Sequence, residues 1–209
     1  LVGCSAEEKT TVEKQEEVVD EVKEYTVTDD VGNEITFEEV PETIVSLQPS
    51  NTEILFALGV GDKIVGATDY DTYPAEALEI ERVSDSVAFN AERITELNPD
   101  VVIAYTIGQE EALQLLEDTG LKVFVIESAT SFEDVYGDIE QLATVMGIEE
   151  KGQEVISSIQ DTIQGVQERV KSATPLKKVY YEISPSPDIY TTGNKTFQQE
   201  ILAAASVDN

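Results

Sequence analysis

From Pro41 onward the chain repeats one unit, an apolar run, a polar loop and a helix-like stretch, and this succession restricts the fold more than any other feature. Residues 43–47, 63–67, 101–105 and 121–126 are the apolar runs. Consecutive parallel strands need a crossover between them, and a helix is the usual way to make one. The pattern therefore predicts an α/β fold with a mainly parallel sheet.

The intervening segments carry helix signals. Ser50-Asn-Thr-Glu53 reads as a capping box opening a helix over 51–58 that Gly59 closes. Asn90 caps a second helix through Leu97, and Asn98-Pro99-Asp100 breaks it. A third runs from 110 to 118 and stops at Gly120; Thr130-Ser-Phe-Glu133 is another capping box, for a helix ending near Gly147. Ahead of the repeat, 25–28 and 34–37 alternate like paired strands around a turn in which Gly32 and Asn33 suit positive φ.

Residues 149–172 contain no proline and place Val155, Ile156, Ile159, Ile163, Val166 and Val170 in near-helical spacing. A helix of that length is roughly 36 Å long, more than a crossover needs, and its narrow apolar stripe suits packing along two lobes to tie them together. After Pro175 the strand pattern restarts at 178–183, followed by a proline-rich loop, a strand at 189–192 and a helix over 197–205.

Composition narrows the chemistry. The 209 residues are 41% hydrophobic, enough for a substantial core, and no run reaches the 18 or more apolar residues of a membrane-spanning helix. The formal net charge of −30 disfavours nucleic acid and polyanionic ligands. With no histidine and a single cysteine, the usual parts of nucleophilic, redox and metal chemistry are missing and no intrachain disulfide can form. No cofactor and no metal are expected. Paired carboxylates such as Asp69 and Asp71 would be what remains for a cell-surface, carboxylate-dependent hydrolase.

That cysteine, Cys4, ends Leu1-Val2-Gly3-Cys4, which resembles a bacterial lipobox with an apolar residue three positions before the cysteine and a small one just before it. On this reading Cys4 is diacylated and becomes the mature N-terminus, Leu1 being the tail of an otherwise missing signal peptide. Two acyl chains give stable membrane attachment. Residues 5–24 hold eight acids, three lysines and no aromatic residue, which reads as a flexible tether.

Four ordered blocks then resemble the substrate-binding lipoproteins of ABC importers for cobalamin and iron-siderophore compounds. They are Ile44-Val-Ser-Leu-Gln-Pro-Ser-Asn-Thr-Glu-Ile-Leu-Phe-Ala-Leu-Gly59; Asp71-Thr-Tyr-Pro-Ala-Glu-Ala77; Asn90-Ala-Glu-Arg-Ile94 with Leu97-Asn-Pro-Asp-Val-Val-Ile103; and Ile183-Ser-Pro-Ser-Pro-Asp-Ile-Tyr-Thr-Thr-Gly193. The first three read most like the cobalamin-binding branch. The resemblance implies two Rossmann-like α/β lobes bridged by one long α-helix, with the second lobe incomplete in this chain. The divisions are 1–24 for lipobox and tether, 25–148 for the N-terminal lobe, 149–173 for the bridging helix and 174–209 for the start of the C-terminal lobe. A monomer delivering a small molecule to a permease in the cell membrane, outside the cytoplasm, is the implied biology. A receptor that signals to a membrane partner is another role the same fold serves.

Ligands in such folds sit at the carboxyl ends of strands. Gln48, Pro49 and Ser50 follow the first strand, with Ser50 also the expected N-cap. Tyr70 and Asp71 follow the second; Tyr70 resembles the aromatic pocket residue of the cobalamin branch, while Ser86 stands where that branch often has an aromatic. Phe89 could be core or pocket wall. Tyr105 and Thr106 end the third strand. Ile183, Ser184 and Pro185 resemble the opposite wall, and Tyr190 is expected to pack beneath that loop. Glu92 resembles the acid that pairs with permease arginines, and in its own right would stabilise the first turn of a helix. The absence of histidine argues against haem, and the presence of only Arg82, Arg93 and Arg169 argues against anionic catecholates. A corrinoid fits best, a hydroxamate-type ferric siderophore next.

Overall fold

The computed structural model describes residues 24–85, 88–105, 110–172 and 177–208. The hairpin forms as read, β1 (Tyr25–Thr28) pairing antiparallel with β2 (Glu34–Phe37). In its turn only Gly32 takes a positive φ, 88°. Asn33 instead has its backbone N–H and its side-chain amide gripped by the Asp29 carboxylate, at 2.7 and 3.2 Å. A carboxylate that supplies this many acceptors removes the need for a second left-handed residue.

The central sheet comprises β3 (Ile44–Ser46), β4 (Ile64–Thr68), β5 (Arg82–Ser84), β6 (Val101–Ala104) and β7 (Val123–Val125). Its order is β5-β4-β3-β6-β7 and all neighbours are parallel. The α/β expectation is met. The strand β5 is an addition, invisible as a pattern because it holds one apolar residue, Val83.

Alternating residues of each strand feed two cores. Ile44, Val101, Ile103 and Phe124 face α1 (Pro49–Ala57), α4 (Phe132–Val145) and α5 (Glu149–Val170), meeting Leu55, Ile139, Leu142 and Ile156. Val45, Val102, Ala104 and Val123 face the opposite way, toward Ile94 of α2 (Ala91–Leu97) and Leu113 and Leu116 of α3 (Glu110–Asp118). Each large side chain so buried stabilises the fold by about 1.5–3 kcal/mol. The second helix starts and stops as expected, with Asn90 Oδ1 accepting from the Arg93 N–H and Asn98 ending it at φ 46°.

Two caps differ from the sequence reading. The first helix opens one residue early, at Pro49, whose fixed φ suits the first helical position. Gln48 is the N-cap and takes the Thr52 N–H on its carbonyl at 3.1 Å, so Ser50 caps nothing and lies exposed in the first turn. In α4 the cap is Ser131 rather than Thr130. Its Oγ accepts from the Asp134 N–H, and the Asp134 carboxylate turns back to accept from the N–H and hydroxyl of Thr130. An aspartate at that offset does the work assigned to Glu133.

The helix α5 runs 22 residues and packs against α4, burying Gly152 and Ile156. Further along its stripe Ile159, Ile163, Val166 and Val170 are only half-buried. Beyond it, β8 (Lys177–Lys178) pairs parallel with β11 (Val207–Asp208), and β9 (Glu182–Ser184) pairs antiparallel with β10 (Tyr190–Thr191). The single strand expected at 178–183 is thus interrupted. Val179, Tyr180 and Tyr181 stand exposed with no layer packed on them to hold an extended run. The last helix, α6 (Phe197–Ala204), touches α5 and returns to the start of α4, where Phe197 meets Phe132 edge-on at 5.5 Å and Glu200 accepts from the Phe132 N–H at 2.9 Å. No helix among the described residues is long and apolar enough to cross a membrane.

Candidate functional site

The strand order reverses between β3 and β6: the chain winds outward from β3 through β4 to β5, then crosses back to β6 and β7. Loops leaving adjacent strands at such a point diverge and open a crevice beyond the strands' carboxyl ends. A half-enclosed cavity of about 470 Å³ lies there. Gln48 and Ser50 line it from the loop after β3 and the start of α1, Tyr105 from the end of β6, and Glu127, Ser128 and Ala129 from the loop after β7. Its apolar floor is Ile54, Ile126, Val135, Ile139, Val155 and Ile159, and Phe197 closes it from α6. A second, larger groove between α4 and α5 is open and lined by acids on solvated helix surface, away from the strand ends.

The cavity brings together three of the expected residues, Gln48, Ser50 and Tyr105. The Tyr105 hydroxyl is fixed to the Ser128 hydroxyl at 2.6 Å. Pro49 is half-buried between Gln48 and Ser50. Tyr70 stands 63% exposed after β4, free to offer its ring. Asp71, by contrast, is turned inward and 1% exposed, its Oδ2 accepting from the N–H and hydroxyl of Thr68 at 2.8 and 2.5 Å. It braces the turn that presents Tyr70, and Arg82 donates to its carbonyl at 2.9 Å. Phe89 resolves toward core, half-buried against the cluster around Val83 and Ile94.

Ile183 and Pro185 are exposed and Ser184 is half-buried, with Ser184 paired to Tyr190 across β9 and β10. Tyr190 is 60% exposed, so it does not pack beneath the loop as expected. Glu92 is exposed in the first turn of α2, while the adjacent Arg93 is held by Glu81 and Glu96. Cys4, Ser86 and Thr106 lie outside the described residues.

Several wall residues escaped the sequence reading. Asn51 is 1% exposed, and neither its Oδ1 nor its Nδ2 has a partner among the described residues. Asp138, 9% exposed in α4, has its carboxyl pushed up to about 7 by burial first and then by the charges of Asp30 and Asp134. Glu53 and Glu127 add two further carboxylates to the lining, which among the described residues contains no lysine or arginine. The available signals were a polar residue in the buried half of a helix, at Asn51, and an aspartate on the apolar side of another, at Asp138.

The site can enclose an organic group against an apolar floor under a polar, negatively charged rim. Among the described residues no group of three or more acidic or cysteine side chains could hold a metal ion. A family model described as "Periplasmic binding protein" matches residues 44–209. An ABC transporter substrate-binding lipoprotein of Bacillus subtilis, YvrC, itself uncharacterized, is 39% identical over 100% of this chain and 68% of its own. Among solved structures, the periplasmic vitamin B12 binding protein BtuF of Vibrio cholerae is 30% identical, with a TM-score of 0.69 over 81% of this chain and 66% of its own. The periplasmic heme-binding protein RhuT of Roseiflexus is 27% identical, with a TM-score of 0.74 over 80% of this chain and 65% of its own. The chain thus spans about two thirds of the length of each.

Proposed function

Because the chain belongs to the periplasmic binding protein family, whose members bind substrates rather than transform them, we propose that it is the substrate-binding component of an ABC importer and captures a corrinoid. It is anchored outside the cytoplasm through a lipidated Cys4 and an acidic tether, and the segment 149–173, which holds the long helix α5, bridges two α/β lobes. The observation that carries this reading is the switch point between β3 and β6, where Gln48, Ser50 and Tyr105 line one crevice.

A broad apolar floor with few polar groups suits a bulky, weakly charged ligand. The negative rim disfavours anionic ones. Haem relatives exist, but this sequence offers no imidazole to an iron. A ferric hydroxamate siderophore is the second reading, favoured by the same neutrality. The hydrolase reading loses its carboxylate pair, since Asp71 is buried against Thr68 and Asp69 stands exposed.

Titration with cyanocobalamin and a panel of ferric siderophores, followed by tyrosine fluorescence, tests the ligand. Saturable binding of the corrinoid alone supports the first reading; binding of a hydroxamate alone replaces it with the second. For the permease, Glu92→Lys should leave ligand affinity intact and cut import in cells. Unchanged uptake removes Glu92 from docking.

A further inference from the structure

Tyr105 brings an aromatic ring to the crevice, yet the sheet does not hold it. The ladder of β6 gives out just before it. On one side the Leu47 N–H donates to the Ile103 carbonyl at 2.9 Å, and on the other the Ile126 N–H donates to the Ala104 carbonyl at 3.0 Å. Beyond these, Tyr105 makes a single hydrogen bond among the described residues, from the far end of its side chain to the Ser128 hydroxyl at 2.6 Å. Ser128 stands on firmer ground, because carboxylates pin the loop after β7 on both sides of it. The Glu127 N–H donates to Asp30 at 2.7 Å, and the Gln141 side-chain amide of α4 holds the other oxygen of that carboxylate at 2.6 Å. On the far side Thr130 gives its N–H and its hydroxyl to Asp134, at 2.8 and 2.9 Å. Hydrogen bonds to an ionised carboxylate are the strong kind, so the loop is the fixed partner and the ring the one being held.

We propose that Ser128 is a positioning residue for substrate binding: its hydroxyl holds the Tyr105 ring in the one orientation that walls the crevice, and Asp30 and Asp134 hold Ser128 in turn. This rests on the crevice being the substrate site, and it deepens that reading by naming what keeps the aromatic wall in place. A separation of 2.6 Å is that of a well-made bond between hydroxyls. The phenol is therefore committed to the protein, and the face of the ring is what Tyr105 offers a ligand, next to the apolar floor of Ile54 and Ile126. Without the bond, the side chain would distribute among the three staggered wells of χ1. Ser128 is exposed, so its replacement by alanine spares the core.

The test measures cyanocobalamin affinity by calorimetry in the full chain, in Ser128→Ala, Ser128→Thr and Tyr105→Phe, and in the double variant Ser128→Ala/Tyr105→Phe. Spreading the ring over three wells leaves about one third of molecules competent, so Ser128→Ala should bind about threefold more weakly. Tyr105→Phe keeps the ring but loses the bond and should show the same loss, and the double variant should show no more than either single one. Ser128→Thr keeps a hydroxyl and should restore the wild-type value. The Hα–Hβ couplings of Tyr105 in NMR read the orientation directly: one well in the wild type, an average in Ser128→Ala, with amide protection of β6 and β7 unchanged. Couplings that stay single in Ser128→Ala overturn the inference, as does an averaged ring with unaltered affinity. Losses that multiply to about ninefold in the double variant also overturn it, since the two hydroxyls would then act separately. If neither cyanocobalamin nor a ferric hydroxamate binds the wild type, the ligand reading falls, and the couplings alone uphold or overturn the role of Ser128.

Discussion

Gly152 of α5 lies so close to Ala143 of α4 that a Cβ on the glycine would come within 2.7 Å of the Ala143 Cβ. Gly165, thirteen positions further along the same helix, has nothing within 4 Å of where its Cβ would stand. The two glycines should therefore respond oppositely to alanine. Gly165→Ala gains about 0.5–1 kcal/mol from helix propensity alone. Gly152→Ala gains the same propensity but must part the helices, for a net loss of about 1–3 kcal/mol. Urea midpoints of the two variants check this.

Asp138 makes stability depend on pH in a direction opposite to most carboxylates. Its folded value of about 7 stands above the unfolded one, so the native state holds the proton more tightly. Its favourable contribution is complete below about pH 4 and is lost as pH rises through about 7. Asp138→Asn should flatten that slope and stabilise the protein at pH 8 by about 2 kcal/mol, less than the full shift because the cavity side remains partly solvated. Denaturant titrations of both proteins between pH 5 and pH 8 provide the measurement.

Asp100 has the ordinary sign. Burial works against its charge, but the N–H groups of Glu42 and Thr43 and the Thr43 hydroxyl donate to one carboxylate oxygen, each at 2.9 Å, and hold it below the usual range. Its contribution is present above about pH 4 and disappears as pH falls through the folded value. Asp100→Ala should cost about 1 kcal/mol at pH 7, and the gap from wild type should narrow in acid.

Phe197 and Glu200 fasten α6 to the start of α4. In Phe197→Ala the half-buried ring is lost and the cavity opens on that side. Amide hydrogens of α6 should exchange at least tenfold faster, while those of β3 and β6 keep their protection. Equal acceleration in both would mean that α6 and the sheet open as one unit.

The strand and helix succession was legible because strands buried on both faces leave continuous apolar runs and because glycine and asparagine punctuate helix ends. Asn90, Asn98 and Gly120 behave as their types suggest. Where two signals competed, the sequence pattern misplaced the start: Pro49 outranked Ser50, and Ser131 with Asp134 outranked Thr130 with Glu133. The cavity was half legible. Loops after β3 and β6 announce themselves by position, but Asn51 and Asp138 depend on which face of α1 and α4 meets the other, a tertiary relation that no local spacing records. Tyr180 and Tyr181 misled for the converse reason, since strand propensity expresses packing and these rings stand exposed.

The hairpin corner has a bearing on how copies of this chain behave when crowded. Asp30 donates its N–H to the Val125 carbonyl at 3.1 Å, and Asp29 Oδ2 accepts the Val125 N–H at 3.2 Å, so both backbone groups on the outer side of β7 at that residue are already taken. Two aspartates thus stand where a neighbour's strand would have to dock. Where copies crowd together, the sheet ends there in a stop instead of an invitation to polymerise.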